Sequence, residues 1–258
     1  MSVRDHRQRT IQNLLAERGR LSVEELSSLL HVTMMTIRRD LASMEKAGVL
    51  TRTHGGCVLQ APFVPERPFE EKDQQQRVQK LAIARSAAQL LSANDSIYLD
   101  TGTTAVHLAR VLPPDRNLHV FTNNLRVALE LFGRTGVEVT VFGGTLARQN
   151  PDLVGDIALA HVNGFRIDVA ALGADALDAQ RGEFYSADMA TAMLSAAAAR
   201  QAERTMVMVD SSKFGKHSLT VAGRLGENDT VITDDGATET DRAALRATGA
   251  KVVYATNS

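Results

Sequence analysis

Cysteine is almost missing from this chain: Cys57 is the only one in 258 residues, so no internal disulfide braces the fold. The seven histidines are scattered without metal-ligand spacing, which gives no reason to expect a metal. No apolar stretch approaches the roughly 18 residues a membrane span needs, and the opening MSVRDHRQRT is too charged for a secretory leader. Phosphate-loop motifs are lacking as well. Neither G-x-x-x-x-G-K-[ST] nor G-x-G-x-x-G occurs, and FGKHS has no upstream glycine. Excess charge of either sign is absent, with a formal net charge of only -1. What remains is 44% hydrophobic residues, enough for one large domain or for a large and a small one, each with its own core. A cytoplasmic protein without cofactor, metal or membrane contact is expected.

The small net charge conceals an asymmetry. Residues 1–60 carry nine Lys/Arg against six Asp/Glu, and the remainder 20 against 24, so a basic piece precedes an acidic one. Between them QAPFVPERPFE places Pro62, Pro65 and Pro68, half of the six prolines, within seven residues. Proline at that density stiffens a connector and stops helices. The expected organisation is a small domain at 1–59, a linker at 60–75 and a larger domain at 76–258.

Three helices and a hairpin are legible in the first sixty residues. Ile11, Leu14 and Leu15 form the stripe of a helix from about Arg4 to Arg18, ended by Gly19. Ser22 and Glu25 form a capping box for a second helix whose Leu26, Leu29 and Leu30 should face inward. After the break HVT, Thr33 caps a third helix running to Gly48, with Ile37, Leu41 and Met44 on its core side. Met34, Met35, Thr36, Arg38 and Arg39 then project away from that core. Two helices joined by a tight turn, the second exposing its polar N-terminal face, make the unit that lays a recognition helix in the DNA major groove. Arginines there grip guanine edges or phosphates. Solvated arginines without a partner are the plainer alternative.

The next stretch, VLTRTHGGCVL, has apolar ends around a Gly55-Gly56 turn signal and reads as a hairpin carrying Arg52 and His54. VTMMTIRRDLASMEKAGVLTRTHGG resembles the signature of the DeoR family of bacterial transcriptional repressors, above all in TIRRDL and HGG. Thr33 stands where that family usually has serine, and Cys57 where it usually has alanine. The resemblance implies a winged helix-turn-helix bound to double-stranded operator DNA. Thr33, Met34, Met35, Thr36, Arg38 and Arg39 would lie at the major groove, the two methionines against thymine methyls, with Arg52, His54 and Gly55 on the wing.

From about residue 76 strand and helix patterns alternate. SIYL, HVFT, VEVTVFG, DVAALG, TMVMVD and TVITD are short β-branched runs, and QKLAIARSAAQLL and ADMATAMLSAAAARQA read as helices. Alternation of this kind indicates parallel βαβ units and an open α/β sheet, whose ligands bind outside the carboxyl ends of the strands. The residues that follow each strand are Asp100, Thr101, Gly102, Thr103 and Thr104; Thr122 and Asn123; Gly143 and Gly144; Asp175; and Asp210 with Lys213. Each loop alone is an ordinary turn or helix cap. Together they suit a hydroxyl-rich, anionic ligand, because helix N-termini offer N–H donors, glycine admits close approach, carboxylates accept hydroxyl protons and Lys213 supplies countercharge.

YLDTGTT, TNN, FGG, VDSSKFG and VITDD resemble successive blocks of the DeoR-type sensor domain, similar in fold to ribose-phosphate isomerases. That resemblance implies a phosphorylated sugar or related metabolite as effector, whose binding weakens the hold on DNA. Where the family commonly carries a lysine followed by basic residues, this chain has Ala190 and Thr191. Arg148 lies in GGTLARQNPDLVG, and its relation to the ligand stays open. The rival reading is a sugar-phosphate isomerase-like enzyme using Asp100, Asp175, Asp210 and Lys213; fold alone implies no activity. An architectural DNA-binding protein without a ligand would leave the polar edge unused. Because one winged domain covers little DNA, a homodimer or homotetramer is expected, assembled mainly through the larger domain.

Overall fold

The computed structural model describes residues 7, 8, 10, 11, 14, 15, 18–46, 50–53, 55–59 and 64–256. Two compact units divide between Pro65 and Glu66. Among the described residues no helix is long and apolar enough to cross a membrane.

In the first unit the described residues between 7 and 18 are helical, Ile11 and Leu15 are buried, and the Gly19 N–H returns to the Leu15 carbonyl at 2.8 Å. A short strand follows, β1 (Arg20–Ser22), then helix α1 (Val23–Leu30). The capping box at its start is complete: Ser22 Oγ accepts the Glu25 N–H at 3.0 Å and Glu25 Oε2 accepts the Ser22 N–H at 2.7 Å. Val23, Leu26 and Leu30 turn inward, but Leu29 is exposed, contrary to expectation. Those three lie at i, i+3 and i+7, and Leu29 falls about 90° off their stripe at 100° per residue. Helix α2 (Met34–Lys46) buries Ile37, Leu41 and Met44 against the same cluster. It also buries Asp40, which takes the Arg7 guanidinium at 2.5 Å, so an acidic residue joins the core face in ion-paired form.

Strands β2 (Leu50–Thr53) and β3 (Gly56–Leu59) make the wing hairpin, and β1 pairs with the other edge of β3 to give the order β1-β3-β2. This third strand explains the second glycine of the pair. A Cβ on Gly56 would lie 2.4 Å from the Leu21 carbonyl oxygen, so only glycine lets β1 come alongside. Cys57 beside it is buried, and burial pushes its thiol up to about 11. It serves as a small core residue where the resembling family has alanine.

The second unit begins earlier than the sequence suggests. Part of the expected linker, from Glu66 on, belongs to it. Pro68 stands at the N-cap of α3 (Phe69–Gln74), where proline starts a helix instead of ending one. Phe69 enters the core, with the Arg126 guanidinium 4.3 Å above its ring. Then come α4 (Arg77–Gln89), β4 (Ser96–Leu99), α5 (Thr103–Val111), β5 (Leu118–Thr122), α6 (Leu125–Leu131) and β6 (Val137–Val141). A small ribbon, β7 (Thr145–Leu146) and β8 (Leu153–Val154), precedes α7 (Asp156–Asn163), β9 (Ile167–Gly173), β10 (Ala176–Asp178), β11 (Glu183–Ser186), α8 (Met189–Gln201) and β12 (Ala202–Met208). The described chain closes with β13 (Thr220–Arg224), β14 (Asp229–Asp234), α9 (Glu239–Ala247) and β15 (Lys251–Ala255).

Seven of these strands form one parallel sheet in the order β15-β14-β12-β9-β4-β5-β6, as the alternating pattern implies. Successive residues point to opposite faces. Ile97, Leu99, Val169 and Met206 pack with Ile83 and Leu108, while Tyr98, Ala170 and Val207 pack with Val162, Leu194 and Leu245. A separate small sheet, β10-β11-β13, and β15 had no sequence expectation. The alanines of α8 are mostly packed inside the unit, which is what its small side chains permit.

From β4 the chain order runs outward through β5 and β6. From β9 it runs the other way through β12, β14 and β15. The switch point of this doubly wound sheet therefore lies between β4 and β9, where ligand crevices form.

Candidate functional site

On the first unit, Met34, Met35, Arg38 and Arg39 stand exposed along the first turns of α2, as the period demands. Thr33 is committed to structure: its Oγ1 accepts the Thr36 N–H at 3.3 Å and meets the Thr36 hydroxyl at 3.0 Å. Arg52 is exposed on β2, its N–H held by Glu45 Oε1 at 2.9 Å, which fastens the hairpin to the end of α2. Gly55 is at the exposed hairpin turn, with φ +86°. His54 lies outside the described residues. Unburied methionines beside paired arginines form a surface with both apolar and cationic contacts to offer.

On the second unit a polar cleft opens at the switch point. The segment after β4 contributes Asp100, Thr101, Gly102, Thr103 and Thr104; the end of β9 contributes Gly173 and Asp175; the end of β12 contributes Asp210 and Lys213. Gly102 is the N-cap of α5 at φ +94°, a conformation suited to glycine, and no side chain caps that helix. The first N–H groups of α5 are thus left for whatever enters the cleft.

Charge inside the cleft is dense and mostly buried. Asp100 accepts the Gly173 N–H at 3.1 Å and the Ser195 hydroxyl at 3.1 and 3.2 Å. Burial nevertheless pushes its carboxyl up to about 7, against the pull of those donors. Asp152, bonded to Asn124 Nδ2 at 2.6 Å, is pushed up to about 6, again mainly by burial. Lys80 is driven down to about 8 by burial, and its ammonium donates to the main-chain carbonyl of Lys72. Lys72 itself bridges Glu66 at 3.1 Å and Asp175 at 3.6 Å. Burial pulls Lys72 down, but those two carboxylates outweigh it and leave it raised. Asp175 also takes the Ala187 N–H at 2.9 Å.

Of the twelve positions expected to face a ligand, Asp100, Thr101, Gly102, Thr103, Thr104, Asp175, Asp210 and Lys213 meet in this cleft. Thr122, Asn123, Gly143 and Gly144 do not line it. Sheet position alone does not separate them, since β12 lies as far from the switch point as β5; the polar groups after β5 and β6 are instead spent on neighbouring loops. Their loops work from behind. Asn123 accepts the Tyr98 hydroxyl at 2.7 Å and donates to the Leu153 carbonyl at 2.9 Å, and the neighbouring Asn124 holds Asp152. Thr122 accepts the Asn124 N–H, the Gly143 N–H goes to His161 Nδ1 at 3.1 Å, and Gly144 passes close to the Val154 backbone. Together they fix the loop that carries Asn150 and Asp152 to the cleft.

Sequence reasoning missed Glu66, Lys72, Lys80, Asn150, Asp152, Thr191 and Ser195, all of which line the cleft. Lys80 gave a faint signal, a charged residue on the apolar side of an alanine-rich helix. Lys72 gave none, because its segment reads as linker. Thr191 marks the neighbourhood where the resembling family carries basic residues. Arg148 is exposed and lies outside the lining.

Both units resemble known proteins. Residues 7–62 match the DeoR-like helix-turn-helix domain and residues 75–235 the DeoR C terminal sensor domain. The transcriptional repressor AccR of Agrobacterium fabrum is 32% identical over 230 residues, covering 89% of each chain. The glycerol-3-phosphate regulon repressor of Escherichia coli strain K12 is 30% identical over 224 residues, 87% of this chain and 88% of that one. The repressor CsqR of the same strain is 33% identical over 224 residues, 86% and 84% of the two chains. Among solved structures, ribose 5-phosphate isomerase A of Methanocaldococcus jannaschii is 17% identical over 55% of either chain with a TM-score of 0.41, too loose a likeness to speak to activity.

Proposed function

Because the chain belongs to the DeoR family of transcriptional regulators, we propose that it represses a carbohydrate or sugar-acid catabolic operon and is released from its operator by an anionic, hydroxyl-rich metabolite. Exposed Arg38 and Arg39 on α2 read or grip the major groove, and Arg52 on the wing holds adjacent backbone. The observation that carries the effector reading is the cleft at the switch point. An uncapped helix N-terminus and the ammonium groups of Lys80 and Lys213 suit a phosphate or carboxylate. Asp152, Asp175 and Asn150 around them suit hydroxyls. A relative named for glycerol 3-phosphate, itself an anionic polyol derivative, supports that ligand class. A homodimer or homotetramer presents two wings to a two-fold operator.

Fluorescence anisotropy on labelled DNA from upstream of the protein's own gene tests this, repeated with a panel of sugar phosphates and sugar acids. Saturable, salt-sensitive binding abolished by one compound is the expected result. One observation favours a second reading: Asp100, with its carboxyl near 7 in the cleft, has the proton affinity of a general base. Chemical conversion of a panel compound, with no specific DNA binding, would establish an isomerase-like enzyme instead.

A further inference from the structure

Glu66–Gln74 is the first stretch of the second unit, and Glu66 is bonded directly to Pro65, the last residue of the first. Two different kinds of interaction hold it. Phe69 is buried in the core under the Arg126 guanidinium, and Glu70 pairs with the same arginine; neither Phe69 nor Glu70 lines the cleft. The other hold is ionic and forms part of the cleft wall. Lys72 bridges Glu66 and Asp175, Asn150 donates to Glu66, and Lys80 clasps the Lys72 carbonyl.

Resting on the effector reading above, we propose that Lys72 and Glu66 sense the ligand: its anion draws the Lys72 and Lys80 ammonium groups to itself, and Glu66, stripped of its cation, leaves the cleft. A buried carboxylate without its partner costs more than a solvated one, so the departure follows from the loss of the pair. Phe69 in the core and the Glu70–Arg126 pair keep the segment attached, so the opening stays local to residues 64–74, and the tether of the DNA-binding unit moves with Glu66. Such a ligand distinguishes the two states through its differential hold on two lysines, which is what a population shift requires.

Hydrogen exchange on the full-length protein, with inorganic phosphate and then glycerol 3-phosphate as probes, tests the proposal. Saturating probe should slow exchange at residues 101–104 and speed it at 64–74 by roughly ten-fold, the signature of local opening. Slowing at 101–104 with no change at 64–74 would overturn the sensing role while leaving the cleft as the ligand site. No slowing at 101–104 with either probe would overturn the effector reading itself. Lys72→Met should exchange fast at 64–74 without probe and change less than about two-fold when probe is added; a full probe-dependent rise would exclude Lys72 as the sensor. Should that variant fail to fold, Glu66→Gln decides. Having no charge to strand, it should lose the probe-induced opening while 101–104 remains protected, and retention of the opening would refute the proposal.

Discussion

Arg38 and Arg39 stand in solvent on a helix of a small unit, whereas Asp100 and Lys80 are almost wholly buried at the switch point of a large one. The first pair needs only a helix period to be placed: once Ile37, Leu41 and Met44 turn inward, the arginines must turn outward. The second pair needs a sheet, because residues 20 positions apart meet only when strand order sets which loops converge. A surface for a large, charged polymer can be flat and wet. A site for a small metabolite must be enclosed, and enclosure is what moves the protonation of Asp100, Asp152 and Lys80.

The contrast can be broken at several points. Leu41→Ala, in the small core, should cost about 2–5 kcal/mol and lower the melting of the first unit, leaving hydrogen exchange in the 66–258 sheet unchanged. Coupled loss in both units would show that they do not fold separately. Asp100→Asn sharpens the other side. A carboxyl raised to about 7 binds a proton in the folded state that the unfolded chain has released, so its ionisation weakens the fold as pH climbs from about 4 to about 7. The variant should therefore be stabilised at pH 8 by an amount on the order of a few kcal/mol, and little changed at pH 4. Thermal melts at the two pH values check this, and equal shifts at both would contradict the buried carboxyl.

A smaller effect is expected at the DNA surface. Arg38→Ala should weaken operator binding by about 1–3 kcal/mol and relax sequence preference if it reads a base. A uniform loss with a shallower salt slope would instead mark a phosphate contact. Smallest of all, Arg52→Ala removes only a 3.9 Å exposed ion pair with Glu45 and should change stability by no more than about 0.5 kcal/mol. Operator titrations across a salt series should still show its slope falling by about one.

Much of this was legible beforehand, and the misses have a common cause. The capping box at Ser22, the core face of α2 and the six strand runs follow from spacing and propensity, which act between near neighbours. Leu29 was misplaced because a leucine-rich helix can be rotated by one position without changing its composition. Asp40 carries no expectation and Gly56 reads only as part of a turn, because each answers to a distant partner: Arg7 in one case, the β1 backbone in the other. The cleft divides along the same line. Loops at β4, β9 and β12 are legible by their chemistry, and the loops at β5 and β6 look identical by that chemistry but give their polar groups to neighbouring loops.

Local patterning by itself thus determined where the elements run, which side of α2 faces solvent and which loops are rich in hydroxyls and carboxylates. Tertiary structure alone decided that Thr122, Asn123, Gly143 and Gly144 serve as supports, that Lys72, Lys80 and Glu66 enter the cleft, and that Asp100 holds its proton near neutrality. The physical reason is range. Propensity, capping and hydrophobic period are settled within a few residues of chain, while strand order, desolvation and ion pairing depend on groups that only the folded sheet brings together.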